Sequence, residues 1–142
     1  MVPIVLRRLS RVPRLVVRHV CWRAAVARRF EHEPLDRLLH SLAPLGARIE
    51  PLDAVAAAVR LGERVGARVP GWPNTCLFRA LTRFASLRSA GHEARFVMGI
   101  DADDATVGHA WVEVAGRPWL EPASTWARAA PFRRTLEHPP AA

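Results

Sequence analysis

Cys76 follows Asn74-Thr75 at what reads as the start of a helix, and His109 lies downstream in a segment of alternating polarity. Unpaired backbone N–H groups and the positive end of the dipole at a helix start stabilise a thiolate. An imidazole beside that thiolate lowers its pKa and later protonates a leaving amine, which is what acyl transfer by a cysteine nucleophile requires. Either residue alone is a weak signal, because a reduced cysteine is commonly an inert core residue and a lone strand histidine is commonly structural.

A third, orienting acid would make the pair coherent. Glu113 shares a strand face with His109 but sits four residues along, about 13 Å away at standard strand rise, and is out of reach. The choice for Glu121 depends on the hairpin between them. A two-residue Ala115-Gly116 loop pairs 114 with 117 and leaves Glu121 on the wrong face. A three-residue loop Val114-Ala115-Gly116, with Gly116 left-handed in a bulge, pairs 113 with 117 and therefore 109 with 121. The glycine at the third loop position favours the second register, so Glu121 is the expected acid, against the plainer reading of a surface carboxylate at a strand end.

The elements that must position these groups are legible from periodicity. Apolar residues recur at helical spacing in a leading segment to about residue 30, in Pro34 to Leu45, in Leu52 to Ala67, and from Leu77 to Leu87 after an Asn74 or Thr75 cap, stopping at Gly91. Strands are predicted at Ala94 to Ile100, Val107 to Val114 and Arg117 to Glu121, and the tail from Pro122 is expected to wrap the surface. Helices followed by an antiparallel sheet make an α+β fold of one domain, with residues 1–50 as a basic amphipathic segment packed on a core of residues 51–142.

All 21 basic residues are arginine, and eight of them fall in the first 30 residues, which hold no acid. The other 13 arginines are matched by 13 acids, so the net charge of +8 belongs to the leading segment alone. On a helical wheel Arg7, Arg11, Arg14 and Arg18 share one face and Val5, Leu9, Val12, Val16 and Val20 the opposite one, with a bend or break at Pro13. The apolar stripe is expected to pack on the core, with docking to a partner or membrane surface as the competing use. Interrupting arginines exclude a secretory h-region and a membrane span. Cys21 and Cys76, without such a signal, point to a reducing, cytoplasmic compartment rather than a disulfide scaffold. The six histidines lack ligand spacing, and Asp101-Ala-Asp-Asp104 lacks the later ligands of a calcium loop, so neither metal nor other cofactor is expected.

Three runs carry a family resemblance: Pro73-Asn-Thr-Cys-Leu-Phe-Arg79, Ala90-Gly-His-Glu-Ala94 and Gly108-His-Ala-Trp-Val-Glu-Val-Ala-Gly116. Over about residues 70 to 121 the chain resembles the transglutaminase-like leader peptidases of lasso peptide biosynthesis, the B proteins. The resemblance implies a papain-like cysteine peptidase core with Cys76 as nucleophile and His109 as base. The family's third residue is typically Asp about twelve positions after the histidine, and Glu121 occupies that position here. Backbone N–H groups at the start of the Cys76 helix are the expected oxyanion donors, joined by Asn74, Thr75 or Trp72, since the chain has no glutamine for the papain-type donor. Trp111 lines the cleft or packs, and Arg79 meets peptide or an acid elsewhere.

The activity implied is removal of the leader from a ribosomally made lasso precursor. The partners implied are that precursor, a separate leader-recognition protein and the lasso cyclase, with peripheral membrane contact left to the basic helix. Two other readings stand beside it. One is a catalytically weak transglutaminase-like scaffold that binds precursor or cyclase, with Glu121 as its signature. The other is a basic nucleic-acid-binding protein, disfavoured by the sparse aromatics among the arginines and the absence of Tyr.

Overall fold

The structure, a computed structural model, describes residues 11–123 and 132–140. Four helices come first: α1 (Val12–Arg29), α2 (Leu35–Leu42), α3 (Leu52–Gly66) and α4 (Cys76–Ser89). Strands β1 (Ala94–Asp101), β2 (Gly108–Val114), β3 (Arg117–Pro118) and β4 (Phe132–His138) follow. They form one antiparallel sheet in the order β3-β2-β1-β4. The fold is α+β, as the order of periodicities requires.

Helix α4 is the centre of the molecule. Phe78, Leu81, Phe84, Ala85 and Leu87 are fully buried, and the Phe84 ring meets Phe96 of β1 edge-on with centroids 6.3 Å apart. Ala110, Val112 and Val114 of β2 join that same core, while Trp111 belongs to the other face of the sheet. The alternation along β2 therefore divides the strand between the helical core and the functional side chains.

Helix α1 packs differently from the wheel. Its buried residues are Leu15, His19, Arg23 and Val26, whereas Val12 and Val16 only flank the core and Val17 is 63% exposed. The buried stripe is rotated from the valine face and includes two polar side chains. Two glycines of α3 make this packing possible. A Cβ at Gly62 would lie 2.5 Å from His19 Cδ2, and one at Gly66 would collide with the Arg23 guanidinium. The helix starts at Val12 with Pro13 in its first turn, where the missing N–H costs nothing, and the residues ahead of the expected bend or break, 1–10, lie outside the described residues. Val5, Arg7 and Leu9 of the expected stripe lie outside the described residues. The basic face is also partly neutralised from within: Arg14 Nη2 donates to Glu50 Oε1 at 2.7 Å, and Arg11 is 3.7 Å from Oε2 of the same buried carboxylate.

Burial pushes the His19 imidazole down to about 3, helped by the neighbouring positive charges of Arg23 and Arg83. His19 bonds Ser86 Oγ through Nδ1 at 2.7 Å. Its folded pKa is below the unfolded value of about 6.5, so its contribution to stability is complete above that value and is lost as pH falls toward 3. The wild-type protein should lose roughly 1.4 kcal/mol per pH unit from this group below pH 6.5. Urea midpoints measured from pH 7 to pH 4.5 should show a flatter decline in His19→Asn, whatever that variant's absolute stability; equal slopes would contradict the assignment.

The sheet corrects three expectations. The hairpin after β2 is a two-residue loop, pairing Val114 with Arg117 and Glu113 with Pro118, not the three-residue loop expected. Ala115 (φ 52°) and Gly116 (φ 73°) are both left-handed, the primed turn that matches strand twist. The third strand is correspondingly short, ending at Pro118 rather than Glu121. The tail, expected to wrap the surface, contributes strand β4, which pairs with β1 and shifts register between Met98 and Gly99. Residues 124–131 of that tail lie outside the described residues.

Candidate active site

Thr75 caps α4: its hydroxyl oxygen accepts the Phe78 backbone N–H at 3.2 Å, which fixes the first turn and places Cys76 at its start. Cys76 is half-buried and is not in a disulfide. Its sulfur is hydrogen-bonded to His109 and accepts the backbone N–H groups of Ala110 and Leu77. The bond to His109, first, and those two N–H groups hold the thiol below its ordinary pKa against the opposing effect of burial.

His109, near the start of β2, donates from Nε2 to Glu121 Oε2 at 3.0 Å. That contact leaves Nδ1 for Cys76. The imidazole is pushed up to about 9, chiefly by its bond to Cys76 and then by its bond to Glu121. A thiol moved down and an imidazole moved up are two views of one thiolate–imidazolium pair. The ring is held from the side as well. It stacks on Trp111 with centroids 5.9 Å apart and planes at 16°, and lies 5.5 Å from Phe132 of β4. Gly99, directly across the ladder from His109, leaves the room: a Cβ there would be 3.2 Å from Trp111 Cη2 and 2.9 Å from Phe132 Cβ.

Glu121 reaches His109 by a route other than strand register. With 114 opposite 117, a continued strand would turn Glu121 to the wrong face. The chain stays in register as far as Trp119, whose N–H donates to Val112 O at 2.8 Å. Leu120 then takes φ 57°, and this left-handed residue turns the carboxylate inward. The Glu121 side chain is only 6% exposed, so it is not a surface carboxylate.

The anchor of Glu121 is Arg83, a residue the sequence reading did not single out. Arg83 Nη1 donates to Glu121 Oε1 and lies 3.1 Å from Leu120 O, while its Nε and Nη2 donate to Glu63 at 2.7 and 3.0 Å. A continuous chain of charge-assisted bonds thus runs Glu63, Arg83, Glu121, His109, Cys76. Arg83 lies seven residues after Cys76, two helical turns along the same face of α4, and that spacing was the available signal.

The remaining expected residues divide. Thr75 is committed to the cap. Asn74 is exposed two residues before Cys76, and Trp72 is half-buried at 6.0 Å from the Arg23 guanidinium. Trp111 is buried and packs, with Nε1 donating to Glu113 Oε1 at 3.0 Å. Arg79 stands one turn from Cys76 and borders a cleft with Asn74 and α3. Of the first-turn N–H groups, that of Phe78 goes to the cap and that of Leu77 to the sulfur. The N–H of Cys76 itself remains for an oxyanion.

Among the described residues, no three His, Cys, Asp or Glu side chains are grouped to hold a metal ion, and no helix is long and apolar enough to cross a membrane. The chain belongs to the transglutaminase-like superfamily, whose pattern matches residues 15–134. That superfamily includes cysteine peptidases, and its members are typically cysteine-based enzymes. No curated protein and no solved structure matches the chain.

Proposed function

We propose that the protein is a cysteine peptidase that removes the leader from a lasso peptide precursor, through a thioester on Cys76. The observation that carries the reading is the bonded set Cys76, His109 and Glu121, with the thiol moved down and the imidazole up to about 9. The HAWVE run and the upstream Thr-Cys-Leu supply the substrate class by resemblance to the B proteins.

The thiolate attacks the scissile carbonyl, forming the carbon–sulfur bond, and the Cys76 N–H stabilises the oxyanion. Collapse breaks the carbon–nitrogen bond, and the His109 imidazolium gives its proton to the departing core-peptide amine. Neutral His109 then takes a proton from water, which hydrolyses the leader thioester. Glu121 holds the imidazole in orientation and stabilises its charged form. The scaffold reading rested on Glu in place of Asp, but Glu121 reaches the imidazole at 3.0 Å.

The partners that fit are the precursor, a separate leader-recognition protein and the cyclase that uses the liberated amine. The test is to incubate the protein with a precursor and recognition protein from its own gene neighbourhood and follow intact masses. Release of leader and core is expected, faster with the recognition protein present. An intact precursor under conditions where Cys76 is readily alkylated would overturn the peptidase reading.

A further inference from the structure

A second feature lies between α3 and the start of the Cys76 helix. Arg60, Glu63, Arg64 and Ala67 form one stripe of α3, at the i, i+3, i+4, i+7 spacing of a single helix face. Arg79 of α4 and Asn74 line the same shallow, open cleft of about 400 Å³. The Glu63–Arg83 pair locks the two helices in this arrangement. The cleft is unbalanced in charge. Its single carboxylate, Glu63, has both oxygens bonded to Arg83, and Arg60, Arg64 and Arg79 have no ion-pair partner among the described residues. Arg23 adds a fourth positive group in the neighbourhood, and its pKa is lowered by burial and by the repulsion of Arg79 and Arg83. Three arginines around one depression present positive charge to an anion, which a carboxylate meets with bidentate geometry.

We infer that this cleft is a substrate subsite that receives an Asp or Glu side chain of the peptide, close to the bond that Cys76 attacks. The inference rests on the peptidase reading and adds its side-chain specificity. Arg79, one turn after Cys76, and Asn74, two residues before it, place the cleft beside the start of the Cys76 helix. Arg60 and Arg64 are exposed and draw the anionic side chain in.

The probes are epoxysuccinyl peptides with two alanines on each side of the epoxide, Glu, Gln or Lys being substituted at each position in turn. The Cys76 thiolate opens the ring, forming a carbon–sulfur bond as the carbon–oxygen bond breaks, and the alkoxide takes a proton from His109. Labelling rates are read by intact mass. At one position Glu should label about tenfold faster than Gln in the wild-type protein. Arg60→Gln/Arg64→Gln should erase most of that ratio, Arg60→Lys/Arg64→Lys should keep much of it, and Arg60→Glu/Arg64→Glu should shift the preference to Lys at the same position. Equal Glu and Gln rates at every position, or a preference that survives charge reversal, would overturn the subsite. Iodoacetamide, which is uncharged and needs no subsite, separates the two claims. Equal peptide rates with normal alkylation of Cys76 overturn the cleft alone, whereas a Cys76 inert to iodoacetamide at neutral pH overturns the nucleophile and the subsite together.

Discussion

Cys76→Ala is expected to lower the rate of leader removal by about 10⁴-fold or more while leaving the fold intact. The side chain removed is small and half-buried at the first turn of α4, and the Thr75 cap that starts the helix does not depend on it. Everything after the first step runs through the sulfur, which forms the bond to the scissile carbonyl and carries the leader as thioester. His109→Ala should approach the same loss, because the thiol then lacks its ion-pair partner and the departing amine its proton donor. The two changes together should cost little more than either alone, as groups that act as a unit do. Precursor consumption measured by mass spectrometry at pH 7, with unchanged circular dichroism, is the check. A Cys76→Ala protein that still cleaves at a tenth of the wild-type rate would rule out covalent catalysis at this residue.

The second large effect is expected at Arg83, which touches no substrate in this account. Arg83→Met leaves two carboxylates, Glu63 and Glu121, without the cation that both contact, and both sit in partly or wholly dry surroundings. Removing one partner of such a buried set costs about 3–5 kcal/mol, against a total of roughly 5–15 kcal/mol for a domain of this size. Urea denaturation should register that loss directly. Catalysis should suffer for a separate reason, since Arg83 holds the Glu121 carboxylate and the Leu120 carbonyl in the turn that aims Glu121 at His109. The double variant Arg83→Met/Glu63→Gln distinguishes the two roles. It removes one stranded charge and should recover part of the stability, while kcat stays low because Glu121 remains unanchored. If the rate returned together with the stability, Arg83 would be only structural. Arg83→Lys, which keeps the charge but not the bidentate fork, should fall between.

The sequence discloses where Cys76 and His109 sit because two strong local rules apply to them. A Thr cap ahead of a cysteine marks a helix start, and alternation around His109 marks a strand. Helices α2 to α4 follow from apolar periodicity within a few residues at each end. Glu121 meets His109 by a route other than the bulged hairpin that the sequence suggests. The expected bulged loop is a primed two-residue turn with alanine at φ 52°, a conformation that alanine does not advertise. The left-handed Leu120 that compensates for it has no sequence signature at all. Strand β4 is not legible in the sequence because it is an edge strand with an exposed, arginine-containing stretch from Arg133 to Thr135, so it shows no apolar alternation. The buried His19 and Arg23 of α1 were hidden for a different reason. Their burial depends on Gly62 and Gly66 of α3, four residues apart, and a partner helix cannot be read from one helix's own wheel.

The proposed mechanism depends on a thiolate–imidazolium pair of Cys76 and His109 in the resting protein. Its most direct measurement is the pH dependence of Cys76 alkylation by iodoacetamide, in a Cys21→Ser background so that only one thiol reports. An ordinary thiol gives a single inflection at about 8.5. The pair predicts substantial reactivity at pH 6 and an inflection on the acid side of that value, with a further change near 9 as His109 loses its proton. His109→Ala should return the profile to the ordinary form. A wild-type profile with one inflection at about 8.5, unmoved by His109→Ala, would contradict the account.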